Sequence, residues 1–154
     1  MSHLVEITTN ALAEIRHHGT QDFPYECCGF LFGKEGDFRR ITLAKRAQNI
    51  QVGDKRRRFV IDPQEYMQAE RFALTEGLDL LGIYHSHPNH PAIPSIHDLK
   101  QAVPFFSYLI ISVLNGQPAT VLSWRLSEDG TEMKEETLIL ASEDNEQFKS
   151  LRSA

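Results

Sequence analysis

Two histidines and an aspartate are spaced so that they could bind a metal ion. His85 and His87 stand two residues apart in an apolar segment, and Asp98 follows after ten further residues. Side chains two apart in a β-strand point to the same face, so the two imidazoles can converge on one point. Two imidazoles and one carboxylate form a catalytic zinc set, which leaves the fourth position to water and brings the pKa of that water to about 7.

The same residues also have plain structural interpretations. A histidine pair in a strand is more often structural or exposed than metal-binding when nothing else is known. Ser95 and Asp98 fit a helix N-cap and its third position, a capping box with aspartate in place of glutamate. If Asp98 binds metal instead, it cannot fully serve the cap, and the Ser95 hydroxyl is then free to face the site. His90 and His97 have no evident role and are expected to be exposed loop residues.

The elements around these residues can be predicted from periodicity and turn signals. We expect helices over 11–19, 63–76 and 95–103, and strands over 28–33, 38–47, 78–84, 108–114, 120–126 and 135–140. The first helix should end at Gly19; the second should start after Asp62 as its N-cap and stop at Gly77. Prolines 88, 91 and 94 should stiffen the loop after the histidines. The histidine pair follows a buried strand, and α/β sheets place ligand sites at such strand ends.

The whole chain indicates one α/β domain, a mixed β-sheet flanked by helices. We assign that domain to residues 1–154, with a core at about 4–140 and a polar tail from Ala141 that should fray. A net charge of −5 argues against nucleic acid and anionic membranes as partners. The sequence has no apolar run of roughly 20 residues, as a membrane span needs, and its start does not resemble a signal peptide. Cys27 and Cys28 are adjacent and offer no disulfide framework, which predicts a reducing cytoplasm.

The residues 85–88, His-Ser-His-Pro, together with Ser95 and Asp98, resemble the JAMM motif of the MPN-plus metallopeptidases. That motif runs histidine, any residue, histidine, ten residues, aspartate, with a serine three residues before the aspartate. The segment 24–33, Pro-Tyr-Glu-Cys-Cys-Gly-Phe-Leu-Phe-Gly, is similar to the family segment that carries an upstream glutamate. The resemblance covers roughly residues 4–140 and implies the MPN fold, a cytidine-deaminase-like α/β domain.

The resemblance also implies a role for each matching residue. His85, His87 and Asp98 would bind Zn²⁺, Glu26 would be the general acid/base, and Ser95 would help to stabilise the tetrahedral intermediate. The compact length and the run 58–63 resemble a small bacterial branch whose members act on ubiquitin-like sulfur-carrier proteins ending in Gly-Gly. The nearest likeness there is a hydrolase that frees cysteine from the carrier's C-terminus during cysteine synthesis. A zinc peptidase or isopeptidase with such a carrier as its partner is therefore expected.

Other functions are weighed against this one. A non-catalytic MPN module that only binds a partner is the main alternative, although the complete ligand set argues against it. A zinc nucleobase deaminase would need a Pro-Cys-x-x-Cys pair, which the sequence lacks, and a cupin-like oxygenase would not suit the predicted helices. Cys27 and Cys28 could supply a thiol nucleophile or a further ligand, but we expect them to be buried packing residues. The basic run 55–58 should be a solvated loop, with contact to an acidic face of the carrier as the alternative.

Overall fold

The computed structural model describes residues 3–141 and 148–150. Its elements in chain order are β1 (Leu4–Thr8), α1 (Thr9–Asp22), β2 (Cys28–Lys34), β3 (Arg39–Ala47), α2 (Pro63–Glu76), β4 (Asp79–Pro88), α3 (Ile96–Gln101), β5 (Ser107–Leu114), β6 (Gln117–Leu126), β7 (Met133–Ala141) and β8 (Phe148–Ser150). None of the described helices combines the length and the apolar character that crossing a membrane requires.

The strands form one mixed sheet in the order β1-β3-β2-β4-β5-β6-β7-β8. Strand β1 pairs in parallel with β3 on one side and with β7 on the other, so the sheet closes into a barrel-like arrangement. Strands β3 and β4 both run antiparallel to β2, which lies between them. Helix α2 connects β3 to β4, which run parallel to each other, and therefore makes a crossover connection; the single-domain α/β class with a mixed sheet is confirmed.

The two long helices cover different parts of the apolar core. Leu12 and Ile15 of α1 pack with residues of β1, β4 and β5, whereas Ala69 and Ala73 of α2 pack with the aromatic side chains of β2 and with Ile83 of β4. Burying apolar surface against the sheet in this way is the main stabilising contribution to such a domain. The histidines of β4 follow Ile83 and lie on the α2 side.

The predicted boundaries of α2 are confirmed, while the end predicted for α1 is wrong. The side chain of Asp62 accepts a hydrogen bond from the amide of Gln64, and Gly77 ends α2 in the left-handed conformation at φ 67°. Helix α1, however, continues past Gly19 to Asp22. A Cβ atom on Gly19 would lie 3.1 Å from Cγ2 of Val113, so this glycine allows the helix to approach β5 closely instead of terminating the helix.

Other differences concern the ends of elements. The short strand β1 was not predicted, and β4 continues to Pro88, so that both histidines are strand residues. Helix α3 is shorter than expected, since it ends at Gln101. Ala141, where the tail was expected to begin fraying, closes β7, and residues 148–150 pair with that strand as β8. The remainder of the predicted tail, 142–147 and 151–154, lies outside the described residues.

Candidate metal centre

The position of the histidines follows from the register of β4. In the pairing with β2, Leu31 lies opposite Gly82 and Phe32 opposite Leu80, so Leu81 is an extra residue in β4. Such a bulge reverses which residues face each side of the sheet. Beyond it, His85 and His87 are both buried, at 1% and 7% exposure. The expectation that the two imidazoles share one face is met.

Three ligand atoms meet at the end of β4. The Nε2 atoms of His85 and His87 are 3.2 Å apart, and Oδ2 of Asp98 lies 3.3 Å from the first and 3.1 Å from the second. Tetrahedral zinc, with bonds of about 2.0–2.2 Å, places neighbouring ligand atoms about 3.3 Å apart. The triangle therefore fits a divalent ion bound on its open side.

The ring of His87 is held by the loop that follows it. Its Nδ1 donates to the carbonyl oxygen of Pro91 at 2.8 Å, which fixes the proton on Nδ1 and turns the Nε2 lone pair toward His85 and Asp98. Outer hydrogen bonds of this kind orient histidine ligands in metal sites. The ring of His85 instead stacks on Phe59 at 4.6 Å between centroids and 30° between planes. Neither Pro91 nor Phe59 was singled out from the sequence as part of a site.

Asp98 belongs to the ligand triangle and to a capping box at once. Its backbone amide donates to Oγ of Ser95 at 3.1 Å, and its Oδ2 accepts from the Ser95 amide at 2.8 Å. The predicted capping box is confirmed, and the same Asp98 oxygen also lies in the triangle, whereas the expectation that a metal-bound Asp98 cannot fully serve the cap stays a prediction. One oxygen does both, because the helix start points at the end of β4. The Ser95 hydroxyl still has its own proton to donate.

The surroundings of His85 and Asp98 favour the protonation states in which these side chains can bind a metal ion. Burial lowers the pKa of His85, against the opposing charge of Asp98, so the ring is neutral near pH 7. Burial by itself would raise the pKa of Asp98, but the interactions with His85 and His87 and the Ser95 amide hold it well below its ordinary value. A neutral imidazole and an ionised carboxylate are the states in which these groups bind metal.

Glu26 lies beside the triangle, just before β2. Cys28 pairs with His85, so extending the antiparallel register by two residues brings Glu26 opposite His87. Ligand atoms of Glu26, His85 and His87 lie within 4.8 Å of one another. The carboxylate is buried, and its Oε1 has no hydrogen-bond partner among the described residues. An unpartnered buried oxygen at this place fits a site that is completed by a cation and a water.

The electrostatics and the backbone of Glu26 are both set by its surroundings. Burial, followed by the negative charges of Asp98 and Asp54, raises the pKa of Glu26 to about 9. The Glu26 amide donates to the carbonyl of Lys55 at 2.8 Å, and its carbonyl accepts from Nδ2 of Asn49 at 3.0 Å. Sequence reasoning did not identify Asn49, because no local pattern marks an asparagine that bridges two distant segments.

The five residues predicted for a site are thus brought together. His85, His87 and Asp98 form the triangle, Glu26 lies beside it, and Ser95 joins it through Asp98. A family model described as prokaryotic homologs of the JAB domain matches residues 8–127, a span that contains all five. The chain belongs to this family. The resemblance to JAMM metallopeptidases is confirmed at this level, since the prokaryotic JAB homologs belong to the same group.

Individual relatives of this prokaryotic JAB chain carry enzyme names. It is 34% identical over 103 residues to a desampylase of Pyrococcus furiosus, a match covering 67% of this chain and 68% of the relative. It is 36% identical over 91 residues to a probable TtuB-protein conjugate cleaving protease of Thermus thermophilus, covering 59% and 58%. A solved structure of a protein from Desulfitobacterium hafniense superimposes with a TM-score of 0.78 at 34% identity, covering 90% of this chain and 94% of that one.

The remaining candidates are not members of the ligand triangle. Cys27 and Cys28 are buried free thiols, and burial raises the pKa of Cys27 to about 12 and that of Cys28 as well. Protonated thiols without solvent access do not act as nucleophiles, so the packing interpretation is favoured. His90 is exposed as expected, but His97 is half-buried in α3 and not an exposed loop residue. The basic side chains of 55–58 are exposed.

Proposed function

We propose that this prokaryotic JAB protein is a zinc-dependent peptidase or isopeptidase. Its substrate would be the amide bond that follows the Gly-Gly tail of a ubiquitin-like sulfur-carrier protein, with release of cysteine from the carrier's C-terminus as one such reaction. The observation that supports this most strongly is the unpartnered carboxylate of Glu26 beside three converging ligand atoms. A purely structural cluster would leave no reason to bury that carboxylate without a partner.

The relatives support the same class of reaction. One is named a desampylase, and the other is named for cleaving conjugates of TtuB with proteins. The second name describes the breaking of a bond that joins TtuB to another protein. Carried to this chain, the two names favour an enzyme over a module that only binds.

The proposed ligands are His85, His87 and Asp98. A bound zinc ion would supply a Lewis acid that polarises the scissile carbonyl and activates water. The three side chains are already oriented by the Pro91 carbonyl, the Phe59 ring and the α3 cap, so little side-chain freedom is lost on binding.

Glu26 would move the proton during hydrolysis. Its carboxylate accepts a proton from the attacking water and delivers it to the departing amine nitrogen. The pKa of about 9 keeps the carboxyl protonated in the absence of a cation, and a positive charge nearby lowers that pKa toward the working pH. Asn49 and Lys55 hold the Glu26 backbone so that the carboxylate stays aimed at the cluster.

Ser95 would stabilise the oxyanion that forms at the carbonyl. Its Oγ accepts from the Asp98 amide, which leaves the hydroxyl hydrogen free to donate. Removing one such donor costs about 10²–10³ in kcat in a well-studied protease. The proposed roles thus divide into metal binding by the triangle, proton transfer by Glu26 and oxyanion stabilisation by Ser95.

The direct test uses mass spectrometry on two substrates. One is a carrier that ends in Gly-Gly-Cys, and the other is a carrier joined through Gly-Gly to a lysine of a second protein. Wild type loaded with zinc, a chelated sample and Glu26→Gln are compared, with bound zinc measured in each. Cleavage by loaded wild type alone, with Glu26→Gln still holding zinc, would support the proposal. No cleavage of either substrate despite stoichiometric zinc would favour the binding-module alternative.

A further inference from the structure

A cavity of about 250 Å³ opens directly beside the candidate metal centre. Two of its wall residues, His85 and Asp98, belong to the ligand triangle. The rest of the wall is mainly apolar or aromatic and includes Phe59, Tyr66, Ile83, Tyr108, Ile110 and Met133. The space therefore begins at the reacting centre and leads away from it into apolar surroundings.

The cavity is built from fixed parts. Ile83 and Ile110, which are 1% and 0% exposed, form buried parts of its wall. The Tyr108 hydroxyl accepts a hydrogen bond from the Val103 amide at 2.6 Å, and Phe59 is stacked on His85. Such walls are pre-formed, as is typical of pockets that bind small apolar groups.

The mainly apolar wall of the cavity disfavours charged substrate side chains. Among the described residues, no lysine or arginine lines the cavity, and apart from the two ligand residues its polar side chains are Gln101 and the two tyrosines. An apolar cavity of about 150 Å³ already accommodates benzene. The cavity therefore has room for a side chain the size of leucine, methionine or phenylalanine, whereas a charged side chain would lose its hydration there.

The proposed substrate limits which side chain can enter. Both residues before the scissile bond are glycines, and neither has a side chain to fill a cavity that starts at His85 and Asp98. The adjacent side chain is that of the first residue after the bond. A lysine joined through its ε-nitrogen must lead back out of the cavity to its own backbone, whereas an α-linked residue can place its whole side chain against the buried Ile83 and Ile110.

We infer that this cavity is the specificity pocket for the leaving group, and that it takes the apolar side chain of an amino acid linked through its α-amine after Gly-Gly. The inference rests on the proposed function. Hydrolysis consumes one water, breaks the bond between the glycine carbonyl carbon and the α-nitrogen, and yields a carrier ending in a Gly-Gly carboxylate and a free apolar amino acid. Cysteine, a small hydrophobe, would fit but leave the cavity underfilled.

The test is a set of carriers that differ only in the residue after Gly-Gly: Leu, Met, Phe, Cys, Ala, Gly, Asp and Lys. With zinc-loaded wild type, kcat/KM for Leu, Met and Phe should exceed that for Gly by at least about tenfold, since each added methylene in an apolar pocket is worth roughly that factor. Asp and Lys should be the poorest substrates. Binding of the uncleaved carriers to Glu26→Gln should follow the same order in Kd.

Two variants at the half-buried Met133 test the pocket itself. Met133→Glu introduces a charge and Met133→Trp fills the space; each should lower the Leu-to-Gly ratio of kcat/KM by about tenfold. Met67→Glu, at an exposed position of α2 that is not among the cavity residues, is the matched control and should keep the wild-type ratio. Thermal unfolding shows whether each Met133 variant is folded. If one variant is not folded, the Leu-to-Gly ratio of the other variant tests the pocket.

The outcomes separate this inference from the function on which it rests. Equal cleavage of the Leu and Gly carriers, or an unchanged ratio in both Met133 variants, overturns the pocket assignment and leaves the peptidase standing. Faster cleavage of a lysine-linked conjugate than of any α-linked residue also overturns it. Failure to cleave any carrier with zinc bound overturns both.

Discussion

Ser86 and Cys27 exchange two hydrogen bonds between β4 and the segment that carries Glu26. The Cys27 amide donates to Oγ of Ser86 at 2.9 Å, and the Ser86 amide donates to the Cys27 carbonyl at 3.1 Å. Ser86 lies between the two histidines, and Cys27 directly follows Glu26. The pair therefore sets the distance between the proposed base and the proposed ligands, which gives the middle residue of the His-Ser-His run a role of its own.

Replacing Ser86 by alanine should affect the base more than the ligands. The change leaves the buried Cys27 amide without its partner and should cost about 1–3 kcal/mol in the free energy of unfolding. We expect kcat/KM to fall further than the affinity for zinc, as measured by turnover and by zinc titration. Ser123→Ala is the matched control, because Ser123 is also fully buried and hydrogen-bonded, to Glu136, in a strand without candidate site residues. Equal losses of activity in both variants would show a general effect of destabilisation.

The ligand triangle was predictable because its geometry is local. A spacing of two in a strand brings His85 and His87 to one face, and the capping pattern of Ser95 and Asp98 is a short-range signal. What the sequence does not show is that a single Asp98 oxygen lies in both the cap and the triangle.

The rest of the site depends on long-range pairing. Glu26 reaches the triangle through the register of β2 with β4, and Phe59 reaches His85 across a loop. Neither contact can be predicted from the residues next to it in the sequence. Without the family resemblance, Glu26 would have been interpreted only as a polar residue at the start of a strand. Gly19 was misread for a similar reason: its closeness to Val113 in β5 is a tertiary contact, and it overrides the usual role of glycine as a helix stop.

Asp98→Asn should separate the cap from the ligand role. Asparagine retains an oxygen that can accept from the Ser95 amide, so α3 should remain capped, but the negative charge facing both histidines is lost. We expect the affinity for zinc to fall by about 100-fold or more, beyond the 10- to 100-fold typical of residues outside the ligand shell. The measurement is a competition titration against a chromogenic chelator.

Ser95→Ala provides the comparison for that titration. It removes the N-cap acceptor and should cost about 1 kcal/mol of stability, with a smaller effect on zinc than Asp98→Asn. If Asp98→Asn bound zinc as tightly as wild type, Asp98 would be a cap alone, and the proposed ligand set would lose its carboxylate.

The alternative role of the exposed basic run 55–58, contact with an acidic face of a protein carrier, can be tested because such contact would speed the encounter. Its backbone is tied to the site through Lys55, whose carbonyl accepts from the Glu26 amide. Arg56→Glu combined with Arg57→Glu should lower kcat/KM for a whole carrier relative to a short Gly-Gly-Leu peptide by about tenfold at low salt. The difference should vanish near 1 M salt, where the screening length is about 3 Å. An unchanged ratio at low salt would make the run a solvated loop without a partner.

The raised pKa of Glu26 should appear in the stability of the metal-free protein. Because that pKa is about 9 in the folded state, against an ordinary value of 4.5, the folded protein keeps a proton that the unfolded chain releases. This stabilising contribution is fully present below the ordinary pKa and is lost as the pH rises toward 9, with a slope of at most about 1.4 kcal/mol per pH unit.

Glu26→Gln removes the titrating group and therefore this pH dependence. In urea unfolding with a chelator present, the free energy of unfolding of the variant minus that of wild type should increase steadily from pH 6.5 to 8.5. Glu70→Gln, at an exposed position of α2, is the control and should show a constant difference from wild type. A constant difference for Glu26→Gln as well would mean that the Glu26 carboxyl is already ionised in the folded, metal-free protein.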